Sequence, residues 1–69
     1  MEELKLRDEF IRLGQAMKAV GFSESGSDAK EQIISGAVTV NGEEELRRGR
    51  KLYDGDTFTF EGKTVKIVK

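Results

Sequence analysis

The chain has 69 residues, with 12 Lys or Arg against 13 Asp or Glu for a formal net charge of −1, and it contains neither cysteine nor histidine. Disulfides, thiolate or imidazole metal sites, and Cys/His or Ser/His nucleophilic catalysis are therefore excluded. A chain this short makes one domain, residues 1–69, whose core is a single thin layer, because only about 60% of the unfolded surface is buried at this size.

Met1-Glu2-Glu3 is acidic where a signal peptide is basic, and no apolar run approaches the roughly 18 residues of a membrane span. The expectation is a soluble cytoplasmic protein with no membrane partner. Glu2 to Leu6 alternates polar and apolar, with Leu4 and Leu6 on one side, which predicts a short strand. From Phe10 the apolar residues Phe10, Leu13, Met17 and Val20 recur at helical spacing, with Ile11 and Ala16 beside them. Asp8 is the expected N-cap of this first helix, and Gly21 ends it where a left-handed residue is commonly required.

Ser23-Glu24-Ser25-Gly26-Ser27 is a polar turn, with Ser27 the expected cap of a second helix from Asp28 to about Ser35. Ala29 and Ile33 form its apolar stripe, and Gly36 stands where a C′ glycine belongs. Beyond Gly36 the period switches to two. Val38 and Val40 share a face, and Asn41-Gly42 is a hairpin-turn dipeptide leading to a return segment from Glu43 to Leu46. Asp54-Gly55-Asp56 turns the chain into Thr57-Phe58-Thr59-Phe60, and Glu61-Gly62-Lys63 turns it again into Thr64 to Val68. The class is α+β: two short packed helices against a small, mainly antiparallel β-sheet.

Arg47-Arg48-Gly49-Arg50-Lys51 places four cations within five residues of a chain whose total charge is nearly zero. Such a cluster creates a local field that the net charge conceals, and its commonest partner is a phosphate backbone. Glu43, Glu44 and Glu45 just upstream could pair with it, but three acids cannot saturate four bases, and exposed pairs contribute only about 0 to 1 kcal/mol. Arginine outnumbers lysine three to one, which suits bidentate phosphate binding. Lys18 and Lys30 are further candidate cations. The rings Phe10, Phe22, Tyr53, Phe58 and Phe60 fall mostly at core-patterned positions, so recognition is expected to rest on charge and shape and not on an aromatic platform. Asp54 and Asp56 read as a turn, since no base, nucleophile or third ligand accompanies them. No catalytic residue, cofactor or metal is expected.

Taken in order, Arg12-Leu13, Gly21, Ser25, Ala29-Lys30, Ile33, Gly36, Val38, Val40, Asn41-Gly42 and Gly55-Asp56 resemble the S4 RNA-binding domain. Leu13-Gly14-Gln15 and the stretch Arg47 to Leu52 are similar to the small stand-alone bacterial proteins of that family, the YaaA/YbcJ-type group. The resemblance covers nearly the whole chain. It implies the S4-like (alpha-L) fold, with the helix pair and adjoining loop facing RNA and the strands as scaffold. It places Lys30 at a basic position of the second helix, Ser25 at an inter-helix turn that touches phosphate, and Arg12 at the basic residue opening the first helix. Gly26 departs from it, standing where many members carry Arg or Lys, and Glu24, Asp28 and Glu31 make the helix pair acidic. The expected function is non-catalytic binding of structured RNA, ribosomal RNA or a ribosome-assembly particle, by a monomer, through Arg12, Lys18, Ser25, Lys30, Arg47, Arg48, Arg50 and Lys51. The alternative is a protein-interaction module whose basic loop docks an acidic partner.

Overall fold

In the computed structural model, which describes residues 1–69, the chain runs β1 (Glu2–Lys5), β2 (Ile11–Arg12), α1 (Leu13–Ala19), α2 (Gly26–Ile34), β3 (Val38–Val40), β4 (Glu43–Glu44), β5 (Lys51–Leu52), β6 (Thr57–Phe60) and β7 (Lys63–Val68). Five strands form one sheet in the order β1-β7-β6-β3-β4, and β2 pairs with β5 in a separate two-stranded ribbon. All pairings are antiparallel except β1 with β7, which are parallel, with Leu4 opposite Ile67. The sequence indicated the β1 strand but not its partner.

The period-two residues of the second half point into the core as expected. Val40 lies opposite Phe58, and Phe58 opposite Val65, so one cross-strand row spans three strands of the sheet. Leu13, Ala16 and Met17 of α1 and Ala29 and Ile33 of α2 cover this face, and every one of them is fully or almost fully buried. Two hairpins set the register. Asn41 and Gly42 have φ of 52° and 84°, and Glu61 and Gly62 have 51° and 77°. Two consecutive positive φ values match the right-handed twist of flanking strands, which is why Asn-Gly suits the first turn.

Both helix starts differ from the sequence expectation. Residues 7–11 are not helical, and α1 is capped at Arg12 rather than Asp8. The cause lies outside the segment: the N–H groups of Leu13 and Gly14, orphaned at a helix start, donate to the carbonyls of Arg50 and Arg48 at 2.8 and 2.9 Å. Phe10 and Ile11 are thereby drawn alongside residues 52 and 53 and out of the helix. The cap of α2 is Ser25, not Ser27; its hydroxyl accepts from the Asp28 N–H at 3.2 Å, and the helix begins two residues earlier than expected.

The turn between the helices is fixed by a buried polar residue that the sequence pattern did not single out. The Ser23 hydroxyl hydrogen-bonds Gln32 Oε1, and Gln32 Nε2 donates to the Phe22 carbonyl at 3.1 Å. Phe22 packs edge-on to Phe58 and tilted against Phe60. The helix pair is thus anchored to the sheet at its connecting turn as well as along its apolar stripes.

Candidate nucleic-acid interface

Residues 47–51 are not a free loop. Its carbonyls at Arg48 and Arg50 accept the first two N–H groups of α1, and the intervening Gly49 carbonyl accepts from Arg12 Nη1 at 2.9 Å. The following residues Lys51 and Leu52 pair with Arg12 and Ile11. Three successive carbonyls and a two-residue ladder therefore fasten the basic segment to the start of α1. Its charged side chains project from a backbone that is already ordered, so little entropy remains to be lost on ligand capture.

Glu45 organises the segment from below. Its side chain is only 8% exposed and receives Arg47 Nε at 3.0 Å, the Arg47 N–H at 3.1 Å and Arg50 Nη1 at 2.7 Å. Hydrogen bonding from the Arg47 side chain, opposed by burial and reinforced by Arg50, lowers the Glu45 carboxyl from 4.5 to about 2, and the same contact raises Arg47. Of the three upstream acids, only Glu45 pairs with the cluster. One carboxylate against four cations leaves the segment strongly positive, and Arg47 remains 75% exposed.

Concavities lie on both sides of Gly49. On one side a cleft of about 240 Å³ is lined by Arg12, Gly14, Gln15, Lys18, Gly26, Ala29, Arg48 and Gly49, where the start of α1, the start of α2 and the basic segment meet. Glycine and alanine make its floor, and three cations from three elements form its rim. On the other side an open hollow of about 580 Å³ is lined by Arg47, Gly49, Arg50, Lys51 and Tyr53. Six of the seven candidate cations thus flank one ridge. Lys30 is set apart, in a shallow depression on α2 with Ser27, Glu31, Ile34 and Ser35. Ser25, as the cap of α2, immediately precedes Gly26 on the cleft floor.

One feature of this region escaped the sequence reading. The register that sets Ile11 against Leu52 brings Phe10 to Tyr53, with ring centroids 5.9 Å apart at 49°. Lys51 Nζ lies 4.8 Å and Arg12 Cζ 5.5 Å from the Phe10 centroid, within cation–π reach. The signal was present: Phe10-Ile11-Arg12 and Lys51-Leu52-Tyr53 match in character when one is read backwards, as an antiparallel pair requires. The helical spacing of Phe10 with Leu13 and Met17 hid it.

The two aspartates of the 54–56 turn have structural partners. Asp56 Oδ2 accepts the Tyr53 N–H at 2.8 Å, and Asp54 Oδ1 the Lys69 N–H at 3.0 Å. No group of three or more His, Cys, Asp or Glu is placed to hold a metal ion, and no helix is long and apolar enough to cross a membrane.

The family model of the S4 domain matches residues 4–68. The chain belongs to the S4 domain family. This S4 domain is 42% identical over 59 residues to the protein named "Probable ribosome maturation protein RlbA" of Bacillus subtilis (strain 168), covering 86% of this chain and 83% of that one. It is 40% identical over 58 residues to YbcJ of Escherichia coli (strain K12), with 84% and 83% covered. The solution structure of YbcJ, described as revealing an AlfaL motif involved in RNA-binding, superposes with a TM-score of 0.75 at 36% identity and covers 100% of this chain and 89% of that one. The family and the α+β, alpha-L architecture expected from the sequence are thus both found. The S4 domain's departure at Gly26 has a structural counterpart: the residue opens α2, and a side chain added there would meet nothing within 4 Å.

Proposed function

We propose that this S4 domain is a non-catalytic binder of structured RNA, ribosomal RNA or a ribosome-assembly particle, and that it holds the phosphate backbone across the Gly49 ridge. The observation that carries the reading is the convergence of Arg12 from the cap of α1, Lys18 from its last turn and Arg48 from the basic segment on one small-residue cleft. Guanidinium and ammonium groups converging on a floor that lets a backbone approach closely suit a phosphate. Arg47, Arg50 and Lys51 continue the positive surface on the far side of the ridge. Ser25 and Lys30 are assigned outer contacts along α2. The family membership and the description of the E. coli relative's AlfaL motif as involved in RNA-binding support the choice of RNA, and the B. subtilis relative's name supports a ribosomal target. Contacts of this kind read backbone shape more than base sequence.

The test is binding to a structured ribosomal RNA fragment at several salt concentrations. Native protein is compared with a double variant, Lys18→Ala with Arg48→Ala, because neither residue belongs to an ion pair of the fold. Weaker binding, a salt slope shallower by about 1.4 to 1.8 and unchanged melting are expected. Equal binding by the two proteins would remove the cleft from the reading. Absence of binding by the native chain would overturn RNA as the ligand and favour an acidic protein partner.

A further inference from the structure

Tyr53 is 48% exposed, although its ring is held from one side by Phe10. A lone exposed tyrosine is ordinary on a protein surface. This one differs in three respects. Its backbone is pinned at both polar groups, since its N–H donates to Asp56 Oδ2 at 2.8 Å and its carbonyl accepts the Asp56 N–H at 2.9 Å. Its ring is buttressed by the tilted contact with Phe10, a favourable aromatic geometry, while Lys51 stands against the same Phe10 ring. Finally, it is the one aromatic residue lining the hollow whose other walls are Arg47, Gly49, Arg50 and Lys51.

We propose that Tyr53 is a stacking platform for an unpaired base of the bound RNA. The inference rests on the phosphate-gripping reading above and adds to it a preference for RNA with unpaired nucleotides next to a helix. The cations of the hollow engage the sugar–phosphate strand, and a base extruded from that strand lies on the open face of the Tyr53 ring. A stack of this kind is indifferent to base identity, because every base has a π-face. A wholly paired duplex keeps its bases inside the helix and cannot use it.

The chain has a single tyrosine and no tryptophan, so its tyrosine emission reports this one ring. Three RNA probes separate the contributions: a hairpin with an unpaired purine loop, the same hairpin with abasic sites throughout the loop, and a blunt duplex of equal length. Native protein is expected to bind the purine-loop hairpin roughly 5- to 150-fold more tightly than the abasic one, with quenching of Tyr53 emission only in the former. Tyr53→Leu should abolish that difference while leaving duplex affinity unchanged, and Tyr53→Phe should restore it. A residue with a merely structural role would lower affinity for all three probes alike. If native protein binds all three with similar affinity and unaltered emission, base stacking is overturned and phosphate binding stands. If it binds none of them, both readings fall together.

Discussion

Arg12 donates from Nη1 to the carbonyl of Gly49 at 2.9 Å, joining the cap of α1 to the middle of the basic segment 37 positions later. The bond uses one of the five N–H donors of the guanidinium and leaves four on a side chain that also lines the cleft. Arg12 is therefore both a strut and a candidate ligand. The two roles separate by substitution. Arg12→Met should destabilise the fold by only about 0.5 to 1.5 kcal/mol, the net value of one hydrogen bond. Amide exchange at Leu13 and Gly14, whose N–H groups are capped by the same segment, should quicken more than at core amides such as Phe58; uniform acceleration throughout the chain would show that the bond anchors nothing local.

Glu45→Gln removes the charge that both Arg47 and Arg50 address. The carboxyl titrates at about 2 when folded against 4.5 when free, so the folded state holds its proton less tightly than the unfolded one. The resulting stability is present above pH 4.5 and is lost as pH falls from there towards 2. Because the arginines lie near solvent, screening reduces the effect to about 1 to 2 kcal/mol. Chemical denaturation should find Glu45→Gln less stable than native protein at pH 7 by that amount, with the gap closing by pH 2. A gap that persists at pH 2 would assign the loss to packing.

Gly26→Arg fills the position where this chain departs from its family. Nothing obstructs a side chain there, and Gly26 already lines the cleft that holds Arg12, Lys18 and Arg48. Binding to a structured RNA should tighten and its salt slope steepen by about 0.7 to 0.9, one further phosphate contact. An unchanged slope would place the RNA elsewhere.

Glu61→Asn should stabilise the fold. Glu61 adopts φ of 51° at the first position of the β6–β7 turn, a left-handed conformation that costs an ordinary residue roughly 1 to 2 kcal/mol and that asparagine tolerates. A gain of about 0.5 to 1 kcal/mol corresponds to a rise in Tm of about 2 to 8 °C in a domain of this size. Gly36→Ala, at φ of 86° and against Glu44, should shift melting the other way.

How far the sequence could be read follows the range of the interactions involved. Val38, Val40, Phe58, Phe60, Val65 and Ile67 were legible as core because alternation is a local signal, and the glycine turns because they are set by residues in contact along the chain. The start of α1 was not legible. It is decided by carbonyls of Arg48 and Arg50, more than thirty residues away, against a local periodicity that favoured helix from Phe10. The parallel union of β1 with β7 is likewise invisible to any window. At the site, the density of charge at 47–51 was evident. Its division by Gly49 was not, nor was which of the three upstream acids would pair and that Glu45 alone would hold both Arg47 and Arg50, because both depend on which way each side chain faces once β2 and β5 have paired.

The two open borders of the five-stranded sheet are β1 and β4, and each carries consecutive glutamates, Glu2-Glu3 on one and Glu43-Glu44 on the other. An unpaired strand invites another chain to extend the sheet, and like charges set side by side oppose it. The acids that bring the molecule's total close to neutral therefore have work of their own. They keep a small, half-exposed sheet from becoming the template of a growing fibre while the opposite charge is displayed elsewhere.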